Sequence, residues 1–92
     1  MGNKYKCPCC GYYTFDKKPT NTFDFCPICF WEDDGLQLSN LAYAGGANDV
    51  SLIQARENFE TFGASEFRLR GFVREPREEE LNGIDWDTPD DR

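Results

Sequence analysis

The chain has 92 residues, with 10 Lys and Arg against 17 Asp and Glu, no histidine, and a net charge of −7. That length supports one small domain with a modest core, with or without a tail. The charge disfavours generic binding to a phosphate backbone, whose affinity comes from Lys and Arg, and the missing imidazole removes histidine from general-base chemistry and metal ligation.

The first residues, Met1-Gly2-Asn3-Lys4-Tyr5-Lys6, run straight into a cysteine-rich turn. With no apolar run ahead of it, no export signal is expected. No stretch approaches the ~20 apolar residues of a membrane span. Cysteines in such a chain fit a reducing cytoplasm, where thiols bind metal rather than pair. Cytoplasmic localisation, away from any membrane, is therefore expected.

Cys7-Pro8-Cys9-Cys10-Gly11 and Cys26-Pro27-Ile28-Cys29 contain the spacing C-x2-C-x15-C-x2-C through Cys7, Cys10, Cys26 and Cys29. Two cysteines three apart put both sulfurs on one side of a tight turn. Two such turns face four thiolates onto one ion, and this spacing is a strong zinc signature. Zn²⁺ takes a tetrahedral four-cysteine shell with Zn–S of about 2.3 Å. Pro8 and Pro27 fix φ at the start of each turn, and Gly11 can adopt the positive φ that leaving such a turn often requires. The expected cofactor is one structural Zn²⁺ per chain. Iron is the alternative, because rubredoxin-like sites hold it in the same shell. A closed four-thiolate shell leaves no open position for a substrate, so no enzyme is expected. A zinc site can contribute on the order of 10 kcal/mol to folding a small peptide. Removing the metal should therefore unfold at least the first third of the chain.

Tyr12 to Phe15 and Thr22 to Phe25 read as strands, the second by its alternation, with Asp16 to Asn21 as turn chemistry between them. The expected architecture is small α+β: a zinc-ribbon or rubredoxin-like β-hairpin joining two CPxC knuckles. Tyr13, Phe15, Phe23 and Phe25 are expected to pack beside the metal. In Phe30-Trp31-Glu32-Asp33-Asp34-Gly35 the aromatics close the small core and the acids lie in solvent. A sharper alternative makes Glu32, Asp33 and Asp34 a cation or partner site, with Trp31 as a further partner contact.

Leu36 to Val50 is irregular, with Gly45-Gly46 and Asn48-Asp49 as breakers. A helix over about 51–62 follows. Ser51 is its N-cap and forms a capping box with Gln54. Leu52, Ala55, Phe59 and Phe62 fall on one face, and Gly63 stops it. Phe67 to Arg70 alternates as a further strand that Pro76 ends. Residues 1–75 thus form the domain and 76–92 an acidic tail. The tail carries seven acids against two Arg, a charge of −5. Its Ile84 and Trp86 either anchor a partner or fold back on the domain; composition does not separate the two.

Three motifs in the same order carry a family resemblance: Cys7-Pro8-Cys9-Cys10-Gly11-Tyr12, the run from Cys26 to Asp34, and Ala44-Gly45-Gly46-Ala47-Asn48 leading into the helix. Together they resemble the bacterial cysteine-rich CPCC family over about residues 5–65. The resemblance implies a metal site of zinc-ribbon spacing and no particular biochemical activity. Cys9 departs from a plain ribbon. It is either a fifth thiol beside the metal that packs or points outward, or a redox or metal-exchange thiol, since thiolates near a metal can have a lowered pKa.

The leading expectation is a non-enzymatic zinc module that binds another protein, a basic one if the acidic tail makes the contact. Nucleic-acid binding through Lys4, Lys6, Lys17, Lys18, Arg68 and Arg70 around Tyr12 is the first alternative. An iron electron carrier, or a thiol sensor acting through Cys9, is the second.

Overall fold

The computed structural model describes Asn3 to Pro89. Its elements are short, and two cysteine turns stand between them. Strand β1, Tyr5–Lys6, enters the first knuckle and β2, Tyr13–Phe15, leaves it. They pair antiparallel, Tyr5 with Phe15 and Lys6 with Tyr13, across a bulge. The hairpin thus encloses one knuckle rather than joining two. The expected strand at Thr22 to Phe25 reduces to a single antiparallel bridge from Phe25 to Glu32, which encloses the second knuckle in the same way.

Two parts of the middle of the chain are more regular than its composition implies. Helix α1, Gly35–Ser39, starts at Asp34, whose carboxylate accepts the N–H groups of Leu36 and Gln37. Beyond it, the loop to Val50 is held by a buried amide pair. Gln37 Nε2 donates to the carbonyls of Tyr43, Asn48 and Val50, and Gln37 Oε1 accepts from Asn48. Asn48 in turn bonds both the N–H and the C=O of Glu32. Buried polar groups persist where they are fully paired, and this pair substitutes for strand pairing along residue 32.

Helix α2, Leu52–Phe62, matches the expected range. Ser51 accepts the Gln54 N–H, and Gly63 closes the helix with φ 84°. The return half of the capping box is absent, since the Gln54 amide bonds Asn58 instead. Leu52 and Ala55 are fully buried, and Phe59 packs on Tyr12 edge-to-face at 6.4 Å. The helix therefore seats its apolar stripe on the knuckles.

The strand expected at Phe67 to Arg70 is instead a 3₁₀ turn, Phe67–Leu69, with Leu69 buried and Phe67 60% exposed. The alternation was real but belonged to a single turn that buries one side chain. Residues 76–89 are not a free tail. Glu78–Glu80 form a second 3₁₀ turn. Ile84 bridges Tyr5 in parallel, donating to the Lys4 carbonyl and accepting from Lys6 N–H. Trp86 Nε1 donates to the Lys6 carbonyl at 2.9 Å. Asp90 to Arg92, the end of the expected tail, lie outside the described residues.

Candidate metal centre

The two knuckles are the same object built twice. In each, the first cysteine donates its N–H to the carbonyl five residues on: Cys7 to Tyr12 at 2.8 Å and Cys26 to Trp31 at 3.0 Å. Its own carbonyl accepts from the residue four on: from Gly11 at 3.0 Å and from Phe30 at 2.7 Å. Its sulfur accepts the N–H two residues on, Cys9 and Ile28, each at 3.4 Å. The position that turns the chain out has positive φ in both, 84° at Gly11 and 68° at Phe30. Proline as second residue pre-sets the turn.

These turns bring Cys7, Cys10, Cys26 and Cys29 together with all four sulfurs within 4.8 Å of one another. Cys7 Sγ lies 3.7 Å from Cys29 Sγ, and Cys10 Sγ 3.6 Å from Cys26 Sγ. A regular tetrahedron with bonds of about 2.3 Å has edges of about 3.8 Å, so the donor set fits a four-thiolate metal ion. Thr14 adds a hydroxyl that donates to Cys26 Sγ at 3.1 Å.

The four thiols lie close enough to shift one another's ionisation in both directions. Burial pushes Cys7 and Cys29 up. Hydrogen bonding to Cys26, then Cys29, pushes Cys10 up. Cys26 is pushed down by the donors around it, Cys10 first and Thr14 among them. A divalent cation offsets the repulsion of four close thiolates, so binding it displaces protons.

Cys9 takes the place that Ile28 takes in the second knuckle, and both are buried. Cys9 thus holds a buried position in the first turn that corresponds to a packing position in the second. It borders a surface cavity of about 350 Å³ with Cys10, Arg56 and Pro89. Arg56 ties α2 to this region, donating to the carbonyls of Pro8 and Pro89.

The other candidate site residues fall into two groups. Trp31, Asp33 and Asp34 are buried, which corrects their reading as surface contacts. Trp31 is fully enclosed in the core cluster with the cysteines. Asp33 Oδ2 accepts from the N–H groups of Asn21 and Thr22 and from the Thr22 hydroxyl. Asp34 caps α1 and accepts the Ala47 N–H, which holds its carboxyl below the usual carboxylate range. These acids therefore lie in the protein and not, as expected, in solvent. Glu32 is half-buried with its backbone held by Asn48. Ile84 and Trp86 fold back onto β1, one of the two alternatives their setting left open.

Aromatic placement also differs. Phe15 is 2% exposed in the core cluster with the cysteines, but Phe23 and Phe25 are 51% and 56% exposed. Phe25 stacks on Phe30 at 5.2 Å, and Phe30 on Phe72 at 5.7 Å, forming a surface ladder of three rings. Of the basic residues named above, Lys4 pairs with Asp16, and Arg68 with Glu66 and Asp49. Lys18 lies over the Trp86 ring. Sequence reasoning missed Gln37, Asn48, Thr14 and the ladder. None has a local signature, since each acts through a residue distant in sequence.

A family model described as Cysteine-rich CPCC matches residues 5–80, which is 76 of the 92 residues. The match reaches past the expected limit near residue 65 and takes in the 3₁₀ turns at Phe67–Leu69 and Glu78–Glu80. No curated protein gives a significant match.

Proposed function

The chain belongs to the cysteine-rich CPCC family, and on that premise we propose that it is a non-enzymatic module of zinc-ribbon or rubredoxin type that docks another protein. One structural Zn²⁺ on Cys7, Cys10, Cys26 and Cys29 holds it together. The observation that carries the metal reading is the four-sulfur cluster with tetrahedral spacing. Four protein thiolates complete a zinc shell, so no position is left for a substrate or an activated water. Iron in the same shell would make the protein an electron carrier instead.

Support for the docking role comes from the surface. Phe25 and Phe72, the outer rings of the ladder, are 56% and 66% exposed. Exposed apolar groups gathered in one place mark interaction sites. Glu78, Glu79 and Asp87 are also exposed, which favours a basic partner. The pairing of Lys4 and Arg68 with acids counts against nucleic acid as the ligand.

Metal analysis with an absorption spectrum tests the first half. About one zinc per chain and a colourless solution support it, and iron with visible charge-transfer bands replaces it with electron transfer. Affinity capture from native lysate tests the second. Partners retained by the wild type should be lost from Phe25→Ser/Phe72→Ser with metal content unchanged. Equal capture by both proteins would remove the ladder from the interface.

A further inference from the structure

The four sulfurs differ in two respects, and from the combination we infer that Cys10 is the ligand at which thiol-directed electrophiles enter the centre and from which the metal is released. This rests on the metal-site reading above. The first respect is access. Cys7 and Cys10 both line the cavity of about 350 Å³, but Cys7, Cys26 and Cys29 are 1%, 0% and 0% exposed, whereas Cys10 is half-buried. The second is shielding. Cys7 Sγ accepts the Cys9 N–H, and Cys26 Sγ accepts both the Ile28 N–H and the Thr14 hydroxyl. Among the described residues, Cys10 Sγ has hydrogen-bonding neighbours only within the cluster.

A hydrogen bond to a thiolate is charge-assisted and spreads the negative charge of the sulfur, which lowers its nucleophilicity. Cys7 and Cys26 are thus both covered and shielded. Cys29 is covered. Cys10 alone is open and unshielded. An electrophile such as N-ethylmaleimide meets its sulfur first. The sulfur lone pair forms an S–C bond with the alkene carbon, and the alkene electrons pass to the adjacent carbonyl as an enolate that takes a proton from water. The resulting thioether is a far weaker ligand than a thiolate. The ion is left on three sulfurs and departs.

The experiment is limiting N-ethylmaleimide on metal-loaded protein of measured metal content. It is followed by denaturation, blocking of the remaining thiols with an isotopically heavy maleimide, and fragment mapping of all five cysteines. Released metal is followed with a coloured chelator. Cys10 should label at least about fivefold faster than Cys7, Cys26 or Cys29, with metal release at the Cys10 rate. Cys9 is not a ligand and is scored separately; Cys9→Ala should keep the order among the other four. Even labelling of the four ligands, or Cys7, Cys26 or Cys29 first, overturns the inference while leaving the metal reading intact. Protein that never carries metal overturns both.

Discussion

Gly11 and Phe30 occupy one position in two copies of the same turn, yet only glycine adopts positive φ without strain. A left-handed conformation costs an L-residue roughly 1–2 kcal/mol. At Phe30 that strain places a ring between Phe25 and Phe72, so the second knuckle trades local comfort for a surface feature the first lacks. Thr14 matters at the same scale. Its hydroxyl reaches Cys26 Sγ at 3.1 Å, and outer partners of metal ligands are typically worth 10- to 100-fold in affinity. Thr14→Val keeps the shape and removes the donor. It should weaken metal binding by about that factor in competition with a chelator, with far-UV circular dichroism of the loaded protein unchanged.

Elements in this protein depend on caps and cross-links more than on length. Helix α2 has eleven residues, too few for independent stability in water. Its Ser51 cap, its Gly63 stop and its buried stripe act together. Ser51→Ala removes the acceptor for the Gln54 N–H and should cost about 1 kcal/mol, read as a lower midpoint in urea. The segment from α1 to α2 has no ladder, and the Gln37–Asn48 pair organises it. The expectation of a loop there held for its backbone, while the two side chains that order it looked like ordinary loop residues. The alternation of Phe67 to Arg70 misled because four residues cannot distinguish a strand from a turn that buries one side chain.

Across the whole molecule, two things set the fold: the core built around the four-cysteine cluster and the return of the C-terminal segment. The radius of gyration is 11.9 Å, close to the ~12 Å of a compact chain of this length, as expected when that segment is packed. Chelation should remove more than the first third of the chain. Both knuckles, α2 and Trp31 share one core with the cysteines, so amide protection should be lost from residues 5 to 62 together. Metal affinity should also fall as pH falls, because binding displaces protons from thiols that burial pushes up.

The C-terminal return is pinned by Arg74, which forms two hydrogen bonds to Glu80. Arg74, first among the causes, holds the Glu80 carboxyl below its ordinary value of 4.5. A depressed carboxyl stabilises the fold above its unfolded value, and that contribution is lost as pH falls through the folded one. Arg74 is about a third exposed, so solvent screening reduces the pair's worth. Arg74→Ala should therefore cost roughly 1–3 kcal/mol at neutral pH, where it leaves a mostly buried carboxylate held only by the Arg77 N–H. Measured in urea, the gap from wild type should narrow as pH drops below about 4.5, where Glu80 becomes neutral in both proteins.

The metal centre could be read from the chain because its determinants are local. Each knuckle closes within six residues, and proline, glycine and cysteine at fixed offsets dictate the turn. The α2 helix was readable for the same reason, through a cap, a stripe and a stop on adjacent turns. The rest depends on contacts between residues far apart: Thr14 with Cys26, Gln37 with Asn48, Phe30 with Phe72, and Trp86 with Lys6, 80 residues away. Such pairs carry no periodicity. Whether an acid such as Asp33 faces water or accepts three hydrogen bonds is settled by which donors folding brings to it. The same holds for Ile84 and Trp86. They are apolar residues in an acidic setting, and they dock on this domain because β1 has a free edge beside them.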